Sequence, residues 1–280
     1  MKLISFTTAG RNGYGVVQGD KVWDLSLRFG GSPSMRRAIA DGVLAKSDLT
    51  QGPSDLTIGQ VSLLPPIPDP DKMICIGLNY RAHAAEGGFK VPEYPSLFSR
   101  LNNTLVASGA PMIRPTVSSD FDYEGELAII IGKGGRHIAA KNALSHVFGY
   151  SCFNDGSIRD YQFKHSLTAG KNFVSTGGFG PWIATADEIP DPSKMTLITR
   201  LNGKEVQRKG IDDMIFDVPA IIAYVSSWTP LVPGDVIATG TPEGVGFARK
   251  PPLWMKAGDV IEIDISGIGV LRNPIVDEAR

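Results

Sequence analysis

The residues of this chain best suited to chemistry are carboxylates. Asp120, Asp122, Glu124 and Glu126 fall at alternate positions just ahead of the apolar run Leu127-Ala128-Ile129-Ile130-Ile131. In an extended strand alternate side chains share a face, so the four would crowd together and repel. The apolar run reads as a strand buried on both faces, where an ionised Glu is costly without a counter-charge. Two readings stand: a solvent-washed acidic face, or a face held together by a cation. Glu124 and Glu126 can converge on one ion, and Asp155, at the end of a second expected strand, offers a third ligand. Three hard oxygen donors without Cys or a paired His favour Mg²⁺, Mn²⁺ or Ca²⁺ over Zn²⁺. By residue type alone, an exposed acidic strand with an Asx-turn at Asp155 fits equally well.

His83 and Glu86 are three apart in a segment of helical composition, where a carboxylate can hydrogen-bond an imidazole and make it a better base. Gly87-Gly88 beside them supplies a hinge for a lid. The same pair also reads as two solvated residues on a short helix. Lys171, ahead of the glycines at 177, 178 and 180, can steady a developing oxyanion or be an ordinary surface charge. Neither a Gly-x-Ser-x-Gly elbow nor a His-Glu-x-x-His motif is present, so a serine hydrolase or zinc protease has no support. Cys75 and Cys152 have no ligand-like spacing and read as inert core thiols in a reducing compartment.

The elements that must position these groups are mostly short strands. Lys2–Phe6, Tyr14–Gln18 and Lys21–Leu25 form a small meander, followed by a short helix from the N-cap Ser34 to the stop signal Gly42. This first part looks self-contained. Four prolines in the six residues from Pro65 to Pro70 cannot be helix or central sheet and mark a stiff connector. The division expected is a small N-terminal α+β domain over 1–68 and a larger one over 69–280. In the larger part, strands are expected at Lys72–Ile76, Ser96–Ser99, Leu127–Ile131, Val147–Phe153, Thr196–Leu201, Lys204–Lys209, Asp235–Ile237 and Val260–Ile265. One amphipathic helix is expected around Val218–Ser227. Gly132–Arg136 reads as a hairpin turn and the stretch to Gly180-Pro181 as a glycine-rich loop. Gly240–Gly246 is too glycine-rich to be anything but functional or tightly turned. Many short strands with few helices favour a β-rich roll or barrel of α+β class over a doubly wound sheet.

Lys+Arg 28 against Asp+Glu 29 gives a net charge of -1, so no basic excess points to nucleic acid. With 42% apolar residues the chain can fill a large core. No apolar run reaches the roughly 18 residues of a membrane span, and the first residues are too short and interrupted for a signal peptide. A soluble cytoplasmic protein is expected.

The motifs then fall into an ordered set. It comprises Gly77-Leu78-Asn79-Tyr80-Arg81-Ala82-His83-Ala84-Ala85-Glu86, Asp122-Tyr123-Glu124-Gly125-Glu126-Leu127, Asn154-Asp155 with Arg159-Asp160-Tyr161-Gln162, Lys171-Asn172-Phe173, and Gly240-Thr241-Pro242-Glu243-Gly244-Val245-Gly246. From about residue 70 to the C-terminus the chain resembles the fumarylacetoacetate hydrolase family. The resemblance implies that family's mixed β-roll, a small N-terminal domain and a homodimer. It implies Glu124, Glu126 and Asp155 as ligands of Mg²⁺ or Mn²⁺, and His83 and Glu86 as a dyad on a lid. It also implies Lys171 as a catalytic group and Arg159, Gln162, Gly240 and Thr241 as substrate contacts. Where the longer, tyrosine-degrading members carry a further ligand Asp, this chain has Ile76, and its N-terminal part is shorter. Both differences point to the shorter branch of acylpyruvate hydrolases.

The implied reaction is hydrolysis of a 2,4-diketo acid. His83, oriented by Glu86, activates water, Lys171 and Gln162 stabilise the charge that develops, and pyruvate leaves as its enolate. Residues 89–94 and the glycines at 177–180 are expected to shape the acyl pocket. The same enolate chemistry serves decarboxylation, tautomerisation and hydration of related oxo-acids, and the fold can also serve as a non-catalytic oxo-acid binder.

Overall fold

A computed structural model describes residues 1–29, 32–45 and 49–279. The strands used below are β1 (Lys2–Thr8), β2 (Arg11–Gln18), β3 (Lys21–Asp24), β4 (Met73–Gly77), β5 (Ser96–Ser99), β6 (Gly125–Ile131), β7 (Val147–Asp155), β8 (Gly177–Thr185) and β9 (Val236–Ala238). The helices are α1 (Met35–Ala40), α2 (Arg81–Glu86), α3 (Arg159–Lys164), α4 (Leu167–Lys171) and α5 (Val218–Trp228). Few helices among many strands make this the expected β-rich fold.

One 12-stranded sheet runs from Leu56–Thr57 through β3, β2, β1, β8, β7, β6, β9 and β4 to the edge strand β5. A five-stranded sheet carries Lys204–Gly210, Thr196–Leu201, Val260–Ile265, Gly269–Asp277 and Met112–Arg114. β6 shows how the large sheet is filled: all seven of its residues are buried. Its odd-numbered side chains, Leu127, Ile129 and Ile131, join the core that holds α5 and the five-stranded sheet. Its even-numbered ones, Ala128 and Ile130, join the core built with Leu3, Tyr14, Met35 and Ile39. The period of two thus sends alternate residues to two different cores.

Three expectations change. The N-terminal meander forms as read, and Ser34 caps α1 by accepting from the Arg37 N–H. It is not self-contained, however. Lys2 pairs with Ala184 and Leu3 with Ile183 across β1 and β8, so sheet and core continue through the proline-rich connector. The stretch read as a glycine-rich loop is β8, a central strand. Its glycines are required by close neighbours: a Cβ on Gly177 would lie 3.0 Å from the Arg100 guanidinium, and one on Gly178 would lie 2.8 Å from Asn273 Oδ1. Finally, Gly132–Arg136 is no tight hairpin turn. β6 and β7 are joined by residues 132–146, which include a 3-10 segment over Ala140–His146.

No helix among the described residues is long and apolar enough to cross a membrane.

Candidate active site

Strand register assembles the acids. β6 and β7 are antiparallel, with Gly125 opposite Asn154 and Glu126 opposite Phe153. One step back, the Asp155 N–H donates to the Glu124 carbonyl at 2.9 Å. Glu124 and Glu126 share a face by period, and so do the residues opposite them, Asp155 and Phe153. All three carboxylates therefore meet on one face. They are buried, and one oxygen from each lies within 4.8 Å of the others.

Buried carboxylates need partners. Lys171, at the end of α4, places its ammonium 2.5 Å from Glu124 Oε2 and 2.6 Å from Asp155 Oδ2. Arg100 pairs with Asp155 Oδ1 and is itself held by Thr104, Thr176 and the Gly156 carbonyl. Arg159 spans three acceptors: Asp122 Oδ2 at 2.8 Å, Glu124 Oε1 at 2.6 Å and Gln162 Oε1 at 2.8 Å. Four carboxylates thus face three buried cations. Of these four, Glu126 has no cation among the described residues, and its Oε2 accepts from the Gly240 N–H at 2.9 Å.

The proton affinities follow from this pattern. Burial raises the Glu126 pKa well above the usual carboxylate range, and the charges of Asp155 and Glu124 push it the same way. For Glu124 burial acts upward too, but Arg159, Lys171 and His83 outweigh it and hold the group well below that range. Burial lowers the Lys171 pKa, yet Asp155 and Glu124 more than compensate, so it stays charged. Three hard oxygen donors, one of them a carboxyl whose ionisation calls for a further positive charge, fit a divalent cation. Glu124, Glu126 and Asp155 would hold it.

The second group is the dyad. His83 Nδ1 lies 2.9 Å from Glu86 Oε1, and Glu86 Oε2 accepts from the Gly244 N–H at 2.8 Å. An ionised carboxylate only accepts, so in the neutral ring Glu86 selects the tautomer with the proton on Nδ1 and the lone pair on Nε2. Glycines in the 240–247 loop bring its amides within reach of other acids. Besides Gly240 and Gly244, the N–H groups of Gly246 and Phe247 bind Asp122 at 2.7 and 3.1 Å. One backbone segment thereby orients Glu126, Glu86 and Asp122.

These groups open on a cavity of about 260 Å³. Its polar lining includes His83, Glu124, Glu126, Arg159, Gln162, Lys171 and Thr241; its apolar wall includes Leu78, Phe89, Phe98, Phe163 and Phe247. The ten residues singled out from the sequence are brought together, but several are oriented differently than expected. Arg159 and Lys171 turn to the acids. Gly240 serves Glu126 through its N–H. Thr241 Oγ1 accepts from Gln207 Nε2 at 2.9 Å, which leaves its own proton to donate. Gln162 gives its oxygen to Arg159, and among the described residues its amide hydrogens have no partner.

Of the expected pocket wall, Phe89 is in place, whereas Tyr94 is exposed and stacks on Tyr224, and the glycines of β8 do not line the cavity. Arg100 and Gln207 were invisible in the sequence, since neither lies in a motif and each is 34 or more residues from the group it supports. Asp122 was visible as a member of the acidic series, but its pairing with Arg159 was not.

A buried carboxylate triad beside a carboxylate-oriented histidine, carried on a β-rich fold, fits the class of metal-assisted enzymes. Comparison with known proteins agrees. The model of the fumarylacetoacetate (FAA) hydrolase C-terminal family matches residues 72–276, and the chain belongs to that family. A Xenopus laevis protein named oxaloacetate tautomerase fahd2, mitochondrial, is 37% identical over 288 residues, covering 99% of this chain and 90% of the relative. Among solved structures, a fumarylacetoacetate hydrolase from Exiguobacterium antarcticum superimposes with a TM-score of 0.88 at 38% identity, covering 99% of this chain and 100% of that one. A maleylpyruvate hydrolase from Sphingobium, solved with manganese(II) and pyruvate, gives 0.83 at 32% identity with both chains fully covered. The protein is therefore an enzyme of this family with a metal-dependent site.

Proposed function

We propose that the protein is a keto–enol tautomerase of a small 2-oxo acid of the oxaloacetate kind, working with Mg²⁺ or Mn²⁺ at Glu124, Glu126 and Asp155. The observation that carries this reading is the commitment of the cations. Lys171 and Arg159 are already bound to carboxylates, so among the described residues lining the cavity His83 Nε2 is the basic atom without a partner. Enolisation needs little more than such a base. C–C hydrolysis also needs donors for a tetrahedral oxyanion, a task that would fall to Gln162 and Thr241 because the expected lysine pairs with Glu124 and Asp155. The similarity over nearly the whole chain to an oxaloacetate tautomerase supports the same choice.

When bound, the cation supplies the positive charge against which an enolate can develop. The chain's own residues do the rest. His83 Nε2 takes the proton from the carbon next to the 2-oxo group, and the same proton count is restored by delivery to oxygen. Glu86, fixed by Gly244, keeps the ring in the required tautomer and balances the imidazolium that forms. Gln162 and Thr241 donate hydrogen bonds into the cavity.

Decay of oxaloacetate enol, followed by its ultraviolet absorbance with added Mg²⁺ or Mn²⁺, tests the reading. EDTA should abolish the acceleration, and His83→Gln should lower kcat by about 10²–10⁴. A His83→Gln enzyme with unchanged rate sinks the proposal.

The apolar end of the cavity favours one second reading, hydrolysis of a diketo acid whose acyl group would lie against Phe89, Phe98 and Phe163. Release of pyruvate with oxygen from water in the acid product would establish it, and CO₂ would mark decarboxylation. A His83→Gln variant that keeps oxalate binding but loses turnover separates either enzyme from a pure binder. The homodimer and the cytoplasmic location belong to the same proposal. Sedimentation tests the first, and cell fractionation tests the second against the mitochondrial location in the relative's name.

A further inference from the structure

Leu78 stands in the cavity wall with a φ of +56. That is the left-handed region, where a Cβ crowds the following carbonyl and glycine is favoured. Among the described residues, the other non-glycine residues with positive φ are Ala9, His137, Ser175 and Asn202, and none of them lines the cavity.

The chain is pinned on both sides of Leu78. Before it, Gly77 pairs with Ser96 and Cys75 with Ala238, so β4 is held by two neighbours. After it, the Asn79 amide donates to the carbonyls of Thr239 at 2.8 Å and Phe216 at 3.0 Å, and its oxygen accepts from the Phe216 N–H. Tyr80, fully buried, then leads into α2, which carries His83. Gly240 packs closely from the other side, where a Cβ would come within 2.8 Å of Asn79 Cβ and 2.9 Å of the Ile76 carbonyl. A glycine at 78 would follow the same path without steric cost. What the unfavourable backbone holds in place is therefore the isobutyl group.

We propose that Leu78 is a specificity-determining residue. Its side chain limits what may be attached beyond the 2-oxo acid unit, by filling the apolar wall it shares with Ile76, Phe89, Phe98 and Phe247. The inference rests on the oxo-acid reading above. It says nothing about which reaction follows binding, which lets the two be tested separately.

The test uses full-length Leu78→Gly, Leu78→Ala and Leu78→Phe proteins. Thermal melting reads the backbone: Leu78→Gly should melt about 2–4 °C above Leu78→Ala, the reverse of the usual order of these residues. Calorimetric binding of oxamate and N-propyl oxamate with Mn²⁺ reads the wall. Leu78→Ala and Leu78→Gly should raise the N-propyl oxamate to oxamate affinity ratio about tenfold or more, and Leu78→Phe should lower it. An alanine variant as stable as the glycine one, or a ratio unmoved in both, overturns the proposal. A wild-type protein that binds oxamate but enolises no oxo-acid sinks the tautomerase reading while the binding ratio still decides on Leu78. Wild-type protein that binds no oxamate overturns both.

Discussion

At the scale of single residues, the site is a balance of buried charge that stops one cation short. Arg100, Arg159 and Lys171 neutralise three of the four carboxylates, and Glu126 is left with one backbone N–H. Such an arrangement trades stability of the metal-free protein for affinity toward a cation. Glu126→Gln should therefore act in opposite directions on the two properties. It keeps an oxygen for Gly240 and removes the unbalanced charge, so the EDTA-treated protein should gain about 1–3 kcal/mol. Stabilisation by added Mn²⁺ should disappear. Melting curves with and without the metal check both halves, and a destabilised, metal-responsive variant would refute the charge account. The pair Glu124 and Glu126, and Asp155 with them, were legible because residue type and spacing of two carry their own geometry. Which of them lacked a cation was not, because Arg100 is contributed from a position 55 residues before Asp155.

At the scale of elements, the loop from Gly240 to Phe247 ties the site together through amides. Its glycines were legible as a sign of function or tight turning, yet the three acids it serves lie 114 to 158 residues away in the chain. Gly244 shows why glycine is needed: its φ is +100, and a Cβ would sit 2.4 Å from the Val206 carbonyl. Gly244→Ala must shift this segment and loosen the hold on Glu86. The expected result is a fall in kcat of about tenfold or more with a smaller loss of divalent-metal affinity, since the Gly244 amide holds Glu86 directly and Glu126 is reached only through Gly240 at the far end of the segment. Steady-state kinetics beside a metal titration separate the two, and a loss of metal affinity equal to the loss of rate would argue against this division of labour. The helix expected at His83 and the N-cap at Ser34 were readable because both depend on local signals. The assignment of β8 as a loop failed for the opposite reason. Its glycines answer to Arg100 and Asn273, neighbours that no local pattern reveals.

At the scale of the whole molecule, the N-terminal 68 residues complete a sheet and a core that the remainder would otherwise leave open. Ala128, Ile130, Phe153, Phe179 and Ile183 pack in one cluster with Leu3, Tyr14, Met35 and Ile39. Removal of residues 1–68 would bare that face and the edge of β8, and the truncated chain is expected to aggregate. Gel filtration of the 69–280 fragment checks this, and a soluble, cooperatively melting fragment would establish two independent domains.

Alkaline stability is a second global property. Burial pushes the Tyr123 hydroxyl up to about 12, with Arg249 opposing, and burial raises Tyr80 and Tyr150 as well. An unfolded tyrosine ionises near pH 10, so the stability tied to the neutral, buried form is whole below that pH and is lost as pH rises toward about 12. Tyr123→Phe should cost stability at pH 8, because the hydroxyl bonds Gly244 and Arg249, and the gap to wild type should narrow between pH 10 and 12. Melting series at both pH values measure it, and a gap that stays constant would count against the assignment.

The sequence alone determined the class of fold, the carboxylate triad, the His83–Glu86 dyad and the family, because these rest on residue type, local period and ordered motifs. Tertiary structure decided where the counter-charges come from, which way Arg159 and Lys171 face, and that Leu78 is held against its backbone preference in the wall of the cavity. Those outcomes depend on register and packing between segments 35 to 160 residues apart, for which a linear pattern has no signal.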